Sequence, residues 1–127
     1  MSTIKVDNIR IASESVSRPA TGVAAAWVNF DGTTVTAPND MTGVRDSMNV
    51  SGIVENALGN YTVYYSNNML SSGYSPSGWA NGQGYSNAFP TGGGIPAASS
   101  ILMRVNNSAF DYSDSNVVCL SIHGDLA

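Results

Sequence analysis

The sequence predicts an all-β protein, and more specifically an antiparallel β-sandwich of jelly-roll type. Short apolar runs alternate with polar residues, turn-forming residues separate most of these runs, and no segment repeats its apolar residues with the period of a helix. Successive side chains of a strand point to opposite faces of the sheet, so this alternation indicates strands with one buried face. We expect about seven or eight short strands in a single domain.

The strands nearest the N-terminal side of the domain are predicted from Trp27 to Tyr65. The first contains the run WVNF at 27–30. A second is predicted over 44–50, where the even-numbered side chains form a mostly apolar face. A hairpin follows over 53–65, because two apolar runs flank a connection that holds Asn and Gly, which suit turn backbone.

The same alternation predicts the core and the C-terminal strands. Two further strands are expected at 101–105 and 116–122, joined by a polar connection. The large side chains that we expect in the core are Trp27, Phe30, Tyr61, Val63 and Tyr65.

Residues 1–22 are predicted to form an extended N-terminal arm that precedes the domain at 23–127. Its apolar anchors are Ile4, Val6, Ile9 and Ile11, and the polar run ending in Pro19 breaks any regular pattern. Two interpretations stay open: the arm docks onto another protein or a neighbouring subunit, or it supplies the first strand of the domain.

A long loop rich in Gly, Ser, Asn and Pro is predicted over 71–100. Loops beyond about 12 to 15 residues are uncommon in compact domains and are usually functional or disordered. Aromatic side chains in such a loop combine a large contact area with hydrogen-bonding edges, and they stack against apolar or sugar surfaces. The candidate contact residues are Tyr74, Trp79, Tyr85 and Phe89. In the alternative, these rings cover one end of the core or lie between subunits.

The composition favours a protein that associates with copies of itself. Charged residues make up 11% of the chain, less than half the usual share of about 25%, and neutral polar residues replace them. Neutral polar surface is buried at a lower desolvation cost than charged surface, and we expect a homotrimer. Five basic residues, spread along a chain of net charge −4, argue against a nucleic-acid partner.

Neither membrane insertion nor export is predicted. No apolar run approaches the roughly 20 residues that span a bilayer, and Met1 leads directly into a mixed polar segment without a signal-peptide pattern.

No catalytic, metal or cofactor site is predicted. The single cysteine, Cys119, sits in a strand-like run, and the single histidine, His123, has no evident general-base geometry beside it. Asp111 and Asp114 lack the pattern of a calcium loop, so they are interpreted as turn residues. Three copies of His123 at a trimer axis are the less favoured route to a metal site.

Three segments carry a resemblance to a known group of proteins. They are WVNFDG at 27–32, VRDSMNV at 44–50 and IVENALGNYTV at 53–63. Together they resemble a module of tail-fibre and other surface proteins of tailed bacteriophages, especially phages of aquatic bacteria. The segment 1–22 is similar to the leader of small phage fibre proteins, in which a polar extended arm precedes the β-domain.

The resemblance implies a structural virion protein rather than an enzyme. We expect a short tail fibre or fibre tip, assembled in the host cytoplasm, whose partners are its own copies, tail or baseplate proteins and, as a candidate, a host surface glycan. A capsid decoration protein that stabilises the head is the alternative. A carbohydrate-active enzyme is a third interpretation, and the lack of a recognisable acid/base carboxylate pair weighs against it.

Overall fold

The computed structural model of this chain describes residues 23–36, 41–81 and 96–127, together with the backbone of three short strands outside those ranges. The described residues form strands and turns without a helix. The strands are β1 (Asn8–Ile9), β2 (Arg18–Pro19), β3 (Ala24–Phe30), β4 (Val44–Met48), β5 (Val50–Ala57), β6 (Asn60–Tyr65), β7 (Ser75–Asn81), β8 (Asn87–Phe89), β9 (Ser100–Asn106) and β10 (Val117–His123).

The strands confirm the predicted all-β, antiparallel fold. One four-stranded sheet has the order β4-β3-β10-β7 and a second has the order β5-β6-β9-β8, while β1 and β2 form a separate two-stranded pair. All the pairings are antiparallel. A jelly roll winds its successive strands between two sheets, and this strand order does not confirm that winding, since β3–β4, β5–β6 and β8–β9 each stay within one sheet.

The inner faces of the two four-stranded sheets share one apolar core. Phe30 on β3 and Tyr61 on β6 meet edge to face, with ring centroids 5.3 Å apart and planes at 78°. The prediction of a core position is confirmed for Phe30, Tyr61, Val63 and Tyr65, all of which are buried. It is wrong for Trp27, which is only half-buried, because Ala26, Val28 and Phe30 face inward and the alternation turns Trp27 and Asn29 to the outer face.

The predicted hairpin is confirmed as β5 and β6. Its turn contains Gly59, which has a left-handed backbone with φ of +63°. A Cβ atom at this position would lie 2.6 Å from the Val105 carbonyl oxygen, so the turn requires glycine for space as well as for backbone conformation.

The predicted strand at 44–50 is corrected by the structure, because it divides into β4 and the start of β5. The break is at Asn49, whose φ is 57° and whose side chain bridges three segments. Its amide nitrogen donates to the carbonyls of Ala25 and Asn67, and its amide oxygen accepts from the backbone and side chain of Asn67. Asn49 is therefore the corner at which the chain leaves one sheet and enters the other.

The predicted loop at 71–100 is also corrected in part. Ser75–Asn81 forms β7, an edge strand that pairs with β10 along its whole length. Pro76 and Gly78 are unfavourable in strands, so the sequence pattern does not indicate β7. An edge strand tolerates proline because only one side of its backbone is hydrogen-bonded to a neighbouring strand. Residues 87–89 form β8, and 82–86 and 90–95 lie outside the described residues.

A buried junction ties one end of the two sheets together. The Tyr61 hydroxyl donates to Asp114 Oδ1 at 2.5 Å and lies 3.2 Å from the carbonyl oxygen of Gly32. The backbone N–H of Gly59 donates to the same carboxylate oxygen at 2.7 Å. Burial, followed by the hydrogen bond to Asp114, raises the pKa of Tyr61, so the phenol keeps the proton that it donates.

The outer strands of the sheets carry features that interrupt regular pairing. Pro76 lies in β7, and β4 presents the exposed charged pair Arg45 and Asp46. The pairing of β5 with β6 shifts register at two places. Bulges, charges and proline on edge strands are known to discourage pairing with a further strand.

We expect Asn49→Gly to destabilise the protein by about 1–3 kcal/mol, because glycine accepts the left-handed backbone but loses the side-chain bridge. Phe110 provides the matched control: its φ is 65°, and its side chain is 73% exposed. Phe110→Gly should therefore stabilise the protein by up to about 1 kcal/mol through relief of backbone strain. Urea denaturation measures both changes, and a neutral Asn49→Gly variant contradicts the role of the bridge.

Asp114→Ala should lower the free energy of unfolding by about 2 kcal/mol, because it removes a charged acceptor that serves both a buried hydroxyl and a backbone amide. Asp111→Ala, an exposed carboxylate of the same connection, should change it by no more than about 0.5 kcal/mol. Thermal and urea denaturation provide the measurement. Equal effects of the two substitutions would show that the junction contributes nothing specific.

Candidate functional site

The outward face of the β4-β3-β10-β7 sheet carries two rows of side chains across its strands. In one row, Trp27 on β3 lies opposite Ser121 on β10, which lies opposite Ser77 on β7. In the neighbouring row, Asn29 lies opposite Cys119, which lies opposite Trp79. The two tryptophans therefore stand diagonally on either side of β10, and standard strand spacing separates their Cα atoms by roughly 12 Å.

An open groove of about 430 Å³ lies between these tryptophans. We call it the tryptophan groove, and its outward-facing side chains are Trp27, Asn29, Ser77, Trp79, Cys119 and Ser121. Trp79 is 55% exposed, an unusual state for so large an apolar ring. The groove thus offers two indole surfaces above a floor of hydroxyl, thiol and carboxamide groups.

Contacts at both ends of the groove hold its polar side chains in place. Arg45 donates to the Asn29 carboxamide oxygen at 3.1 Å and to the Asn116 carbonyl at 2.5 Å, and it lies 3.5 Å from the Asp31 carboxylate. At the other end, Ser121 Oγ lies 3.2 Å from His123 Nε2. Asn29 and Ser121 are therefore positioned before any ligand arrives, which reduces the entropy lost on binding.

The chemistry of the groove suits binding. Indole rings stack against flat apolar surfaces, and the serine hydroxyls and the asparagine amide both donate and accept hydrogen bonds. These groups are uncharged at neutral pH, so a neutral ligand enters without leaving an unpaired charge behind.

The predicted contact residues are placed differently by the structure. Trp79 lines the groove and is exposed, as a contact residue must be. Tyr74 is buried, as in the alternative in which these rings cover the core: its ring packs against Tyr65 with centroids 5.9 Å apart, and its hydroxyl lies 3.0 and 3.1 Å from the carbonyl oxygens of Ala97 and Ser100. Tyr85 lies outside the described residues, and Phe89 belongs to β8, of which only the backbone is described.

Of the four predicted docking residues, Ile9 is the one that lies in a described strand. Ile9 belongs to β1, whose backbone pairs with β2, and Ile4, Val6 and Ile11 lie outside the described residues.

The sequence prediction of contacts includes only Trp79 among the six groove side chains, and it assigns two of the other five, Trp27 and Cys119, to buried positions. Trp27 is predicted in the core, but its position in the strand puts it on the face opposite to Val28 and Phe30. This alternation was the sequence signal that could have placed it on the outer face. Cys119 was interpreted as a small buried residue, whereas it is half-buried on the floor of the groove. Its location depends on the pairing of β10 with β3 and β7, which the sequence does not encode locally.

The acidic residues considered for a metal site have other surroundings. Asp114 belongs to the Tyr61 junction, and Asp111 is exposed. Within the described ranges, no group of three or more His, Cys, Asp or Glu side chains is arranged to hold a metal ion.

Comparison with known protein families, curated proteins and solved structures finds no match to this chain. The described residues contain no helix that could span a membrane.

The groove geometry makes a direct prediction, because Trp27 and Trp79 are the only tryptophans and Cys119 is the only cysteine. An aromatic disulfide reagent should modify Cys119 in the folded protein and place its ring between the two indoles. We expect it to quench fluorescence in both single-tryptophan variants, Trp27→Phe and Trp79→Phe. Reduction of the mixed disulfide should restore the emission. Modification only after unfolding, or quenching of one tryptophan alone, contradicts this geometry.

Proposed function

We propose that this chain is a structural virion protein of a tailed bacteriophage, a short tail fibre or fibre tip that contacts the host surface. The segments WVNFDG, VRDSMNV and IVENALGNYTV support the phage assignment through their resemblance to tail-fibre proteins. The observation that carries the contact role is the tryptophan groove, in which Trp79 is exposed and Trp27 is partly exposed on paired strands. Solvent-exposed tryptophans clustered in a concave site are typical of binding surfaces.

The proposed working form is a homotrimer in which each copy is a β-sandwich attached through residues 1–22. Inward side chains of both sheets meet in one core, which supports face-to-face packing. A charge-poor surface supports association between copies. Three grooves on one particle would strengthen a weak contact by raising its effective concentration.

We propose binding without catalysis. The side chains around the groove supply stacking surfaces and hydrogen bonds. Glycoside hydrolysis requires two carboxyl groups that flank the scissile bond, and the groove-lining side chains include no carboxylate.

A capsid decoration protein is the second candidate, and a separate apolar surface favours it. Leu58, Phe110 and Tyr112 are exposed by 57%, 73% and 45%, and they lie in the β5–β6 turn and the connection that precedes β10. The strained backbone of Phe110 shows that this ring is displayed at a cost in stability. Such a surface suits packing against another capsid protein.

Labelling of intact particles tests the proposal. Gold-conjugated antibody against this chain should decorate the tail of negatively stained virions, and light scattering of the purified protein should give the mass of a trimer. Label over the head instead supports the decoration protein. Particles that contain no copy of the chain by mass spectrometry would overturn both assignments.

A further inference from the structure

The tryptophan groove has the features of a ligand site, and we propose that it binds an uncharged oligosaccharide, with pyranose rings stacked on Trp27 and Trp79. This assignment gives the ligand class for the host contact proposed above. The identification of the saccharide as a host receptor rests on that proposed function. The binding reaction itself is a property of the isolated protein.

The two indoles define the first requirement of the ligand. A pyranose ring has an apolar face of C–H groups, which packs on an aromatic ring through dispersion and loss of water from apolar surface. Trp79 is 55% exposed and Trp27 is half-buried, so both present ring surface in the groove. A separation of roughly 12 Å is wider than one sugar ring, so a chain of two or three rings is needed to contact both.

The floor of the groove defines the second requirement. Ser121 lies on β10 between the indoles, Asn29 and Ser77 flank them on β3 and β7, and all three offer groups that donate and accept hydrogen bonds. Sugar hydroxyls also donate and accept, whereas a purely apolar ligand would offer no partner to the Ser77 hydroxyl or to the Asn29 amide nitrogen. Arg45 holds Asn29, and Ser121 lies in contact with His123, so the polar groups are oriented in advance.

Charge defines the third requirement. The side chains that line the groove are uncharged. The neighbouring Arg45 guanidinium already contacts Asn29, the Asn116 carbonyl and the Asp31 carboxylate, and the other charged neighbour along the Asn29 row is the Asp46 carboxylate on β4. An anionic sugar would meet this carboxylate without a cation in the lining to pair with, and the net charge of −4 adds to the repulsion. Neutral hexose chains therefore fit better than uronic or sialic acids.

The size of the groove agrees with these requirements. Its volume of about 430 Å³ lies within the range of roughly 300–1,000 Å³ that is typical of small-ligand sites. Because the groove is open to solvent, it does not restrict the ligand to a fixed length. We expect weak binding, with a dissociation constant in about the millimolar range, that depends on multiple copies for strength.

Titration with defined trisaccharides tests the proposal. Maltotriose, mannotriose and a galactose trisaccharide are added to the purified full chain, with tri-galacturonate as the charged control, and binding is followed by tryptophan fluorescence and by calorimetry. At least one neutral trisaccharide should give a saturable change and should slow the alkylation of Cys119 by iodoacetamide. Tri-galacturonate should bind at least about tenfold more weakly.

Variants identify the site. Trp79→Ala and Trp27→Ala should each weaken binding at least about tenfold, and each retains one tryptophan as a reporter. Trp79 is largely exposed on an edge strand, so its variant should fold even if Trp27→Ala does not, and circular dichroism checks this. Phe110→Ala is the matched control, because it removes an exposed ring outside the groove.

The outcomes separate this proposal from the virion assignment. No saturable response to any of the three neutral trisaccharides overturns the ligand class, as does equal binding of tri-galacturonate or unchanged binding by Trp79→Ala. A fluorescence change that follows protein concentration instead would assign the groove to self-association and also overturn it. Saccharide binding by a chain absent from virions would refute the virion function and leave the ligand assignment standing.

Discussion

The hydrogen bond between the Tyr61 hydroxyl and the Asp114 carboxylate is the constraint on which most of the architecture depends. Tyr61 lies at the centre of the core, in contact with Phe30 from the opposite sheet, while its hydroxyl reaches the connection that leads into β10. The same carboxylate holds the β5–β6 turn through Gly59. The Tyr61–Asp114 pair thus links the two sheets, the β5–β6 turn and the connection that leads into β10. Its burial requires the phenol to have a partner, and Asp114 supplies one.

The candidate binding surface is the reverse side of the strands that this junction fixes. On β10, Val118, Leu120 and Ile122 face the core while Cys119 and Ser121 face the groove. The register of β10 against β3 and β7 therefore sets the packing of the core and the spacing of the two tryptophans together. A site built on paired strands is more rigid than one on loops, and it needs less ordering when a ligand binds.

Sequence patterns predicted the class of the fold and much of its core, because alternation and turn chemistry are local properties. The β5–β6 hairpin and the burial of Phe30, Tyr61, Val63 and Tyr65 follow from them. The division at Asn49 was not predictable, since its left-handed backbone is stabilised by segments distant in sequence. Strand β7 was not predicted because Pro76 and Gly78 are unfavourable in strands. The groove was not predicted because it forms only when β7, β10 and β3 are adjacent. The segments that carry the phage resemblance include Gly59, Tyr61 and Asn49, which serve the fold, alongside Trp27, which serves the groove.

The irregular outer strands also lower the tendency of this protein to aggregate at high concentration. An incoming strand needs a regular series of free amide and carbonyl groups along the edge. Three features interrupt this series: Pro76 in β7, the charged pair on β4 and the register shifts of β5. Cross-β growth, the common hazard of β-rich chains held at high local concentration, is thereby disfavoured. Contacts between copies are thereby directed to side-chain surfaces rather than to the strand edges.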